Sequence, residues 1–205
     1  MKKSLVVSLL FMSFVCVHAQ RMKSIWLSMP DSLIGYINQS KRIEAMDYRD
    51  MGLKLDVKNL LDGSTLVDTL TNDFLEVRLS SASTLQMKLL AVADSDSVLC
   101  VVRTLKGPEP ESKVSFYNLK WEKQPLQFTM PEARQLVQKP DTMTSERFEE
   151  LFRMIEPPLL NASLNIDDDT LLVGLSAPML NKEEREAVKA ILRQRKLKWN
   201  GETFK

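Results

Sequence analysis

Histidine and cysteine run most nucleophilic and acid–base chemistry near neutral pH. In these 205 residues there is one histidine, His18, and two cysteines, Cys16 and Cys100. His18 and Cys16 both fall at the end of an amino-terminal segment that reads as a secretory leader, so Cys100 alone is left to the mature chain. That leaves no intramolecular disulfide, in spite of an oxidising destination. It also excludes Ser-His-Asp and Cys-His mechanisms and histidine-ligated zinc. With only six glycines, none in a GxGxxG or GxxxxGK arrangement, there is no phosphate-cradling loop.

The remaining polar clusters have simple structural readings. Asp167, Asp168 and Asp169 lack the ligand spacing and mid-loop glycine of a calcium loop, and read as a solvated turn. Arg193, Arg195, Lys196 and Lys198 form the densest basic cluster. The arginines suit a helix carboxyl end and the lysines an exposed strand, against the alternative of an anionic-glycan or lipid-headgroup site. Cys100 shares a strand face with Val98 and Val102 and is expected to be a buried, inert thiol. Trp26, Trp121 and Trp199 each stand beside an element boundary, where closing a core is a better reading than stacking sugars. Glu149 with Glu150, and Glu183 with Glu184, sit among basic residues on amphipathic helices and read as charged solvent faces. No residue is assigned a catalytic, cofactor-binding or metal-binding role.

The leader is a basic head of Met1, Lys2 and Lys3, then an apolar run from Leu5 to Val17, too short to span a bilayer. Val17-His18-Ala19 suits a signal peptidase, giving cleavage after Ala19 or Gln20 and an exported product, periplasmic, outer-surface or secreted. Lipidation at Cys16 is the alternative, but Val15 is large for the position before a lipid-bearing cysteine. Loss of Lys2 and Lys3 changes the formal charge from +1 to −1, as 26 basic groups then face 27 acidic ones. A near-neutral chain has no global attraction for nucleic acid.

About 185 mature residues, 44% hydrophobic and 27% charged, are enough for a packed core. Ser28-Met29-Pro30-Asp31 reads as a helix start with Ser28 as cap and with Leu33, Ile34 and Ile37 on one face. A second helix is expected from about Lys41 to Met51, burying Ile43, Met46 and Met51 and stopped by Gly52. From Leu53 the period changes to two: Leu53, Leu55 and Val57, a hairpin turn at Asp62-Gly63, then Leu75, Val77 and Leu79. Leu85, Met87, Leu89 and Ala91 follow, and after Asp94-Ser95-Asp96 come Val98, Cys100 and Val102. The stretch 98–102 is apolar on both faces, as in a central strand. Val114, Phe116 and Leu119 mark the last strand of this meander.

Trp121 to Asp141 contains Pro125, Pro131 and Pro140 and reads as a connector with one helical turn near 132–137. Phe148, Leu151, Phe152 and Ile155 then fall at helical spacing, with Ser145 as cap and Pro157-Pro158 as terminator. Leu160 to Ile166 and Leu171 to Leu175 form a hairpin across Asp167–Thr170. Asn181 and Glu184 make a capping box for a helix carrying Val188, Ile191 and Leu192. Leu197 and Trp199 lead into the Asn200-Gly201 turn before Phe204. The predicted fold is α+β: N-terminal helices followed by an antiparallel β-meander, then a smaller helix-hairpin-helix-strand unit. The expected division is 1–20 signal peptide, 21–128 helices plus meander, 129–140 connector and 141–205 smaller lobe, with the long connector favouring two packed lobes.

Four stretches carry a family resemblance: Met29-Pro30-Asp31-Ser32-Leu33, Leu85-Gln86-Met87-Lys88-Leu89-Leu90, Cys100-Val101-Val102-Arg103-Thr104, and the block from Phe116-Tyr117 to Trp121. The chain resembles, over nearly all its mature length, an uncharacterised family of exported proteins of Bacteroidales-type bacteria, domain of unknown function 3256. The resemblance implies a periplasmic or outer-surface location in a Gram-negative cell and supplies no functional residue.

The composition points to a non-enzymatic binding or interaction module of the cell envelope, needing no cofactor, with an envelope protein or a glycan as the kind of partner and no transmembrane helix in the mature chain. The alternative is a glycan hydrolase that uses two carboxylates and neither histidine nor metal. A third reading, a lipid-anchored assembly component, depends on Cys16. Mass spectrometry of the exported protein should find Gln20 or Arg21 at its amino terminus; a mass carrying diacylglycerol on Cys16 would contradict the soluble reading.

Overall fold

The computed structural model describes residues 20–92, 97–177 and 180–205. The leader with Cys16, His18 and the Ala19 junction, and the Asp94-Ser95-Asp96 turn, lie outside the described residues. Helix α1 (Gln20–Leu27) opens the described chain, and α2 (Gln39–Asp50) follows. Then come six strands: β1 (Val57–Lys58), β2 (Ser64–Leu70), β3 (Phe74–Ser80), β4 (Ser83–Ala91), β5 (Ser97–Lys106) and β6 (Pro110–Tyr117). They pair in chain order, every pair antiparallel, into one sheet. Helix α3 (Ser145–Arg153), the β7 (Leu159–Leu164) and β8 (Thr170–Ser176) hairpin, α4 (Lys182–Lys189) and β9 (Arg195–Lys198) complete the chain, the last three strands forming a second antiparallel sheet. The α+β class and its order are as the sequence patterns predict.

Alternation along each strand divides the six-stranded sheet between two cores. Leu75, Val77 and Leu79, Leu85 and Met87, and Leu99 and Val101 face the helical side with Met22, Trp26, Ile37 and Met46. Phe74, Leu90, Val98, Cys100, Val102 and Phe116 face the other way and pack with α3, α4 and the second sheet. This explains why residues 98–102 are apolar throughout: β5 is covered on both faces. Trp199 stacks on Phe116 at 5.9 Å between ring centroids and meets Phe204 edge-on at 5.2 Å. Its indole Nε1 donates to the Ala91 carbonyl at 2.6 Å, tying the last strand to the end of β4. The connector packs with the C-terminal unit: Leu136, in a 3-10 turn at Ala133–Leu136, is fully buried, and Gln138 and Arg193 exchange backbone bonds with Ile191 and Leu136.

Four local expectations are corrected. Ser28 does not start a helix; its hydroxyl donates to the Ile25 carbonyl at 3.0 Å and finishes α1. Pro30 is extended (φ −61°, ψ 135°), and only a 3-10 turn, Asp31–Leu33, follows it. The second helix starts two residues early, capped by Asn38, and buries Arg42, Ala45 and Met46 while Ile43 and Met51 stay exposed. Leu53 and Leu55 are likewise exposed, because the strand pairing reaches back only to Val57. The cap of α3 is Thr144, whose side chain accepts from the Arg147 amide, and not Ser145. The Asp62-Gly63 turn, the Asn181/Glu184 capping box and the Gly52 stop (φ 73°) stand as predicted.

The two sheets meet through polar side chains. β7 is an outer strand of the three-stranded sheet, and its outward amides are answered by the larger sheet. Ala162 N–H donates to Ser112 Oγ at 2.9 Å, and Leu164 N–H donates to Gln86 Oε1 at 2.8 Å. Beyond the strand, Lys88 Nζ donates to the Asn165 and Ile166 carbonyls at 3.1 and 3.0 Å. Lys88 is 1% exposed, with Asp73 at 3.4 Å and Asp169 at 3.9 Å to balance its charge. Lys88→Met keeps the apolar stem and strands two carbonyls, so chemical denaturation should show a loss of about 2–3 kcal/mol, the scale of hydrogen bonds to a charged group. An unchanged midpoint would show that water serves those carbonyls equally well.

Candidate functional site

The pairing of β5 with β6 places Val101 opposite Ser115 and Arg103 opposite Lys113, all on the helical face of the sheet. Helices α1 and α2 do not cover this end. The segment after α1 forms one wall with Met29, Ser32, Leu33 and Ile34, and Trp121 and Tyr117 close one end with rings 5.6 Å apart. The result is a half-open cavity of about 250 Å³ with Leu85 and Val101 in its lining. Trp121 adopts φ 66° and sends its indole N–H to the Ile25 carbonyl at 3.1 Å, so the end wall is fixed to the end of α1.

Two cations line the cavity. The Arg103 guanidinium lies 5.2 Å from the centre of the Tyr36 ring and donates to the Tyr36 hydroxyl. Its Nε is buried and has no hydrogen-bond partner. Neither Arg103 nor Lys113 pairs with a carboxylate among the described residues. A second cavity of about 360 Å³ shares Arg103 and Lys113 and adds Leu105, Ser112 and Glu111. With cations, hydroxyls and an apolar lining, the first cavity can hold an anion attached to an apolar body, and no carboxylate or imidazole stands in its lining.

Of the residues singled out from sequence as candidates for chemistry, Trp121 lines this cavity and the others lie outside it. Cys100 is fully buried, and burial pushes its thiol far above the ordinary range. Trp26, Trp121 and Trp199 are all buried, as core closure requires. Arg193 donates to the Ala190 and Leu192 carbonyls just past α4, and Lys196 pairs with Asp168 at 2.9 Å; Arg195 and Lys198 are exposed on β9, an outer strand. The Thr170 hydroxyl and then Lys196 hold the Asp168 carboxyl below its usual range. Glu149 binds Arg134, Glu150 binds Arg147, and Glu184 closes its capping box. Among the described residues no group of three or more His, Cys, Asp or Glu is placed to hold a metal ion, and no helix is long and apolar enough to cross a membrane.

Sequence reasoning does not single out Arg103, Lys113, Tyr36 or Tyr117 as site residues. The available signal is that Arg103 follows five buried positions of β5 on the same parity as Val101, a place where a core-facing residue would otherwise stand.

A family model described as "Protein of unknown function (DUF3256)" matches residues 14–204. The chain belongs to this family. Among solved structures it is similar to a domain of an uncharacterized protein from Porphyromonas gingivalis W83, with a TM-score of 0.72 and 22% identity, covering 90% of this chain and 96% of that one. At that identity the likeness shows a common fold. No curated protein matches the sequence.

Proposed function

We propose that the protein is an exported, non-enzymatic binding module of a Gram-negative cell envelope. The observation that carries the binding reading is the cavity beside β5 and β6, which offers two cations with no carboxylate ion pair among the described residues, hydroxyls of Ser32, Ser115 and Tyr117, and an apolar lining that holds no carboxylate or imidazole. The carboxylate hydrolase needs two acids facing each other about 5–9.5 Å apart across a cleft. Neither of the joined cavities offers that: the first has no carboxylate, the second has only Glu111, and Glu109 in a third cavity is tied to Arg185.

Export is supported by the leader's order of charge, apolar run and small residue, and by the position of α1. Met22, Ile25 and Trp26 are the core residues of that helix, so a mature chain starting at Gln20 or Arg21 keeps all of them.

Purified mature protein should be silent in esterase, peptidase, phosphatase, nucleotidase and glycosidase assays. Glycosidic turnover that disappears when one Asp or Glu is changed to its amide would replace the binding reading with the carboxylate hydrolase.

A further inference from the structure

We propose that the cavity between the 29–34 segment and β6 is a carboxylate-binding site for a compact apolar acid, with Arg103 and Lys113 as the anion-recognising pair. This rests on the binding reading above and names its ligand class. Three observations carry it. First, Arg103 is already oriented: the Tyr36 ring covers its guanidinium and the Tyr36 hydroxyl takes one N–H, while Nε stays buried and unpartnered. A guanidinium held in this way, with no carboxylate partner among the described residues, presents its charge to an anion in the cavity it lines. Second, Lys113 stands directly opposite Arg103 across the β5–β6 pairing and has no carboxylate partner among the described residues, so a planar anion between them meets a forked donor and a point charge together. Third, Ile34, Leu85, Val101 and Trp121 share the lining with these cations. Apolar walls add nothing for inorganic phosphate, which keeps its water, but they desolvate the body of an aliphatic or aromatic acid.

Size narrows the class further. About 250 Å³ is below the roughly 300–1,000 Å³ of sites for drug-sized ligands, which favours a small acid over a long chain or a polymer. Glu111 lines only the adjoining cavity, where it partly offsets the two cations and disfavours a second anion.

The test is titration of the ¹⁵N-labelled mature protein, followed by NMR, with phenylpropionate and octanoate, with phenylpropionamide and octanol as neutral counterparts, and with inorganic phosphate. The carboxylates should shift the amides of Arg103, Lys113, Ser115 and Tyr117 and bind about tenfold or more tightly than the neutral analogues, the loss expected for a charge-assisted hydrogen bond. Lys113→Met and Arg103→Met should each weaken carboxylate binding about tenfold and leave the neutral analogues unchanged, whereas Lys106→Met, exposed on the opposite face of β5, should change nothing. Lys113 is on an outer strand, so its variant keeps the test valid if Arg103→Met fails to fold. Equal binding of acid and amide in the cavity would overturn the carboxylate assignment and leave the binding reading standing. Phosphate binding more tightly than the acids, shifts that map elsewhere, or no carboxylate binding at millimolar concentration would also overturn it. Turnover in the substrate panel is a separate result, which defeats the binding reading whatever the anion preference.

Discussion

The packing depends on the way an open strand edge is closed without another strand. An outer strand presents unpaired amides and carbonyls, and burying them unsatisfied costs more than most single contacts return. In this protein the edge of β7 is laid against the face of the larger sheet; Ser112 and Gln86 supply the missing partners of the strand, and Lys88 those of the turn that follows it. Because these residues alternate with or neighbour Phe116, Leu90 and Cys100, the polar contacts fix the position of the second sheet and the apolar residues around them supply the burial. The charge of Lys88 is tolerated there because two carbonyls and the carboxylates of Asp73 and Asp169 surround it.

The opposite face follows the same logic with a different cation. Arg42 is fully buried; it donates to the carbonyls of Met29 and Ile37, pairs with Asp31 at 2.9 Å and lies over the Trp26 ring at 5.6 Å. It therefore holds the irregular chain between α1 and α2 in place, and that chain is the wall of the β5–β6 cavity. Structure and candidate function connect at this point. The segment in which only a 3-10 turn follows Pro30 is kept as a shaped loop by Arg42 and by the Trp121 indole bond to Ile25.

What was legible in the sequence was whatever rests on local chemistry. The meander is read from its period of two and its Asp-Gly turn; α3 from Phe148, Leu151 and Ile155; α4 from its capping box; the burial of Cys100 and the tryptophans from their neighbours. What was not legible depended on partners distant in sequence. Gln86 and Lys88 alternate with Leu85, Met87 and Leu89 as solvent-facing residues do, and only the return of β7 some eighty residues later buries them. Arg42 has the composition of a helix surface and the position of its core. The cavity joins the 29–34 segment to β5, β6 and Trp121, and no window of sequence brings those together. The Asp167–Asp169 turn was legible as a turn, while its service to Lys196, Thr170 and Lys88 required the fold.

Native-state hydrogen exchange at two amides tests the central claim most directly. Ala162 and Leu164 are on β7, an outer strand of the three-stranded sheet, where amides ordinarily exchange by local fraying. If Ser112 and Gln86 close that edge, both amides should be protected to the level set by global unfolding, like those of β5. Exchange of Ala162 and Leu164 at rates typical of an exposed edge, with β5 still protected, would contradict the account.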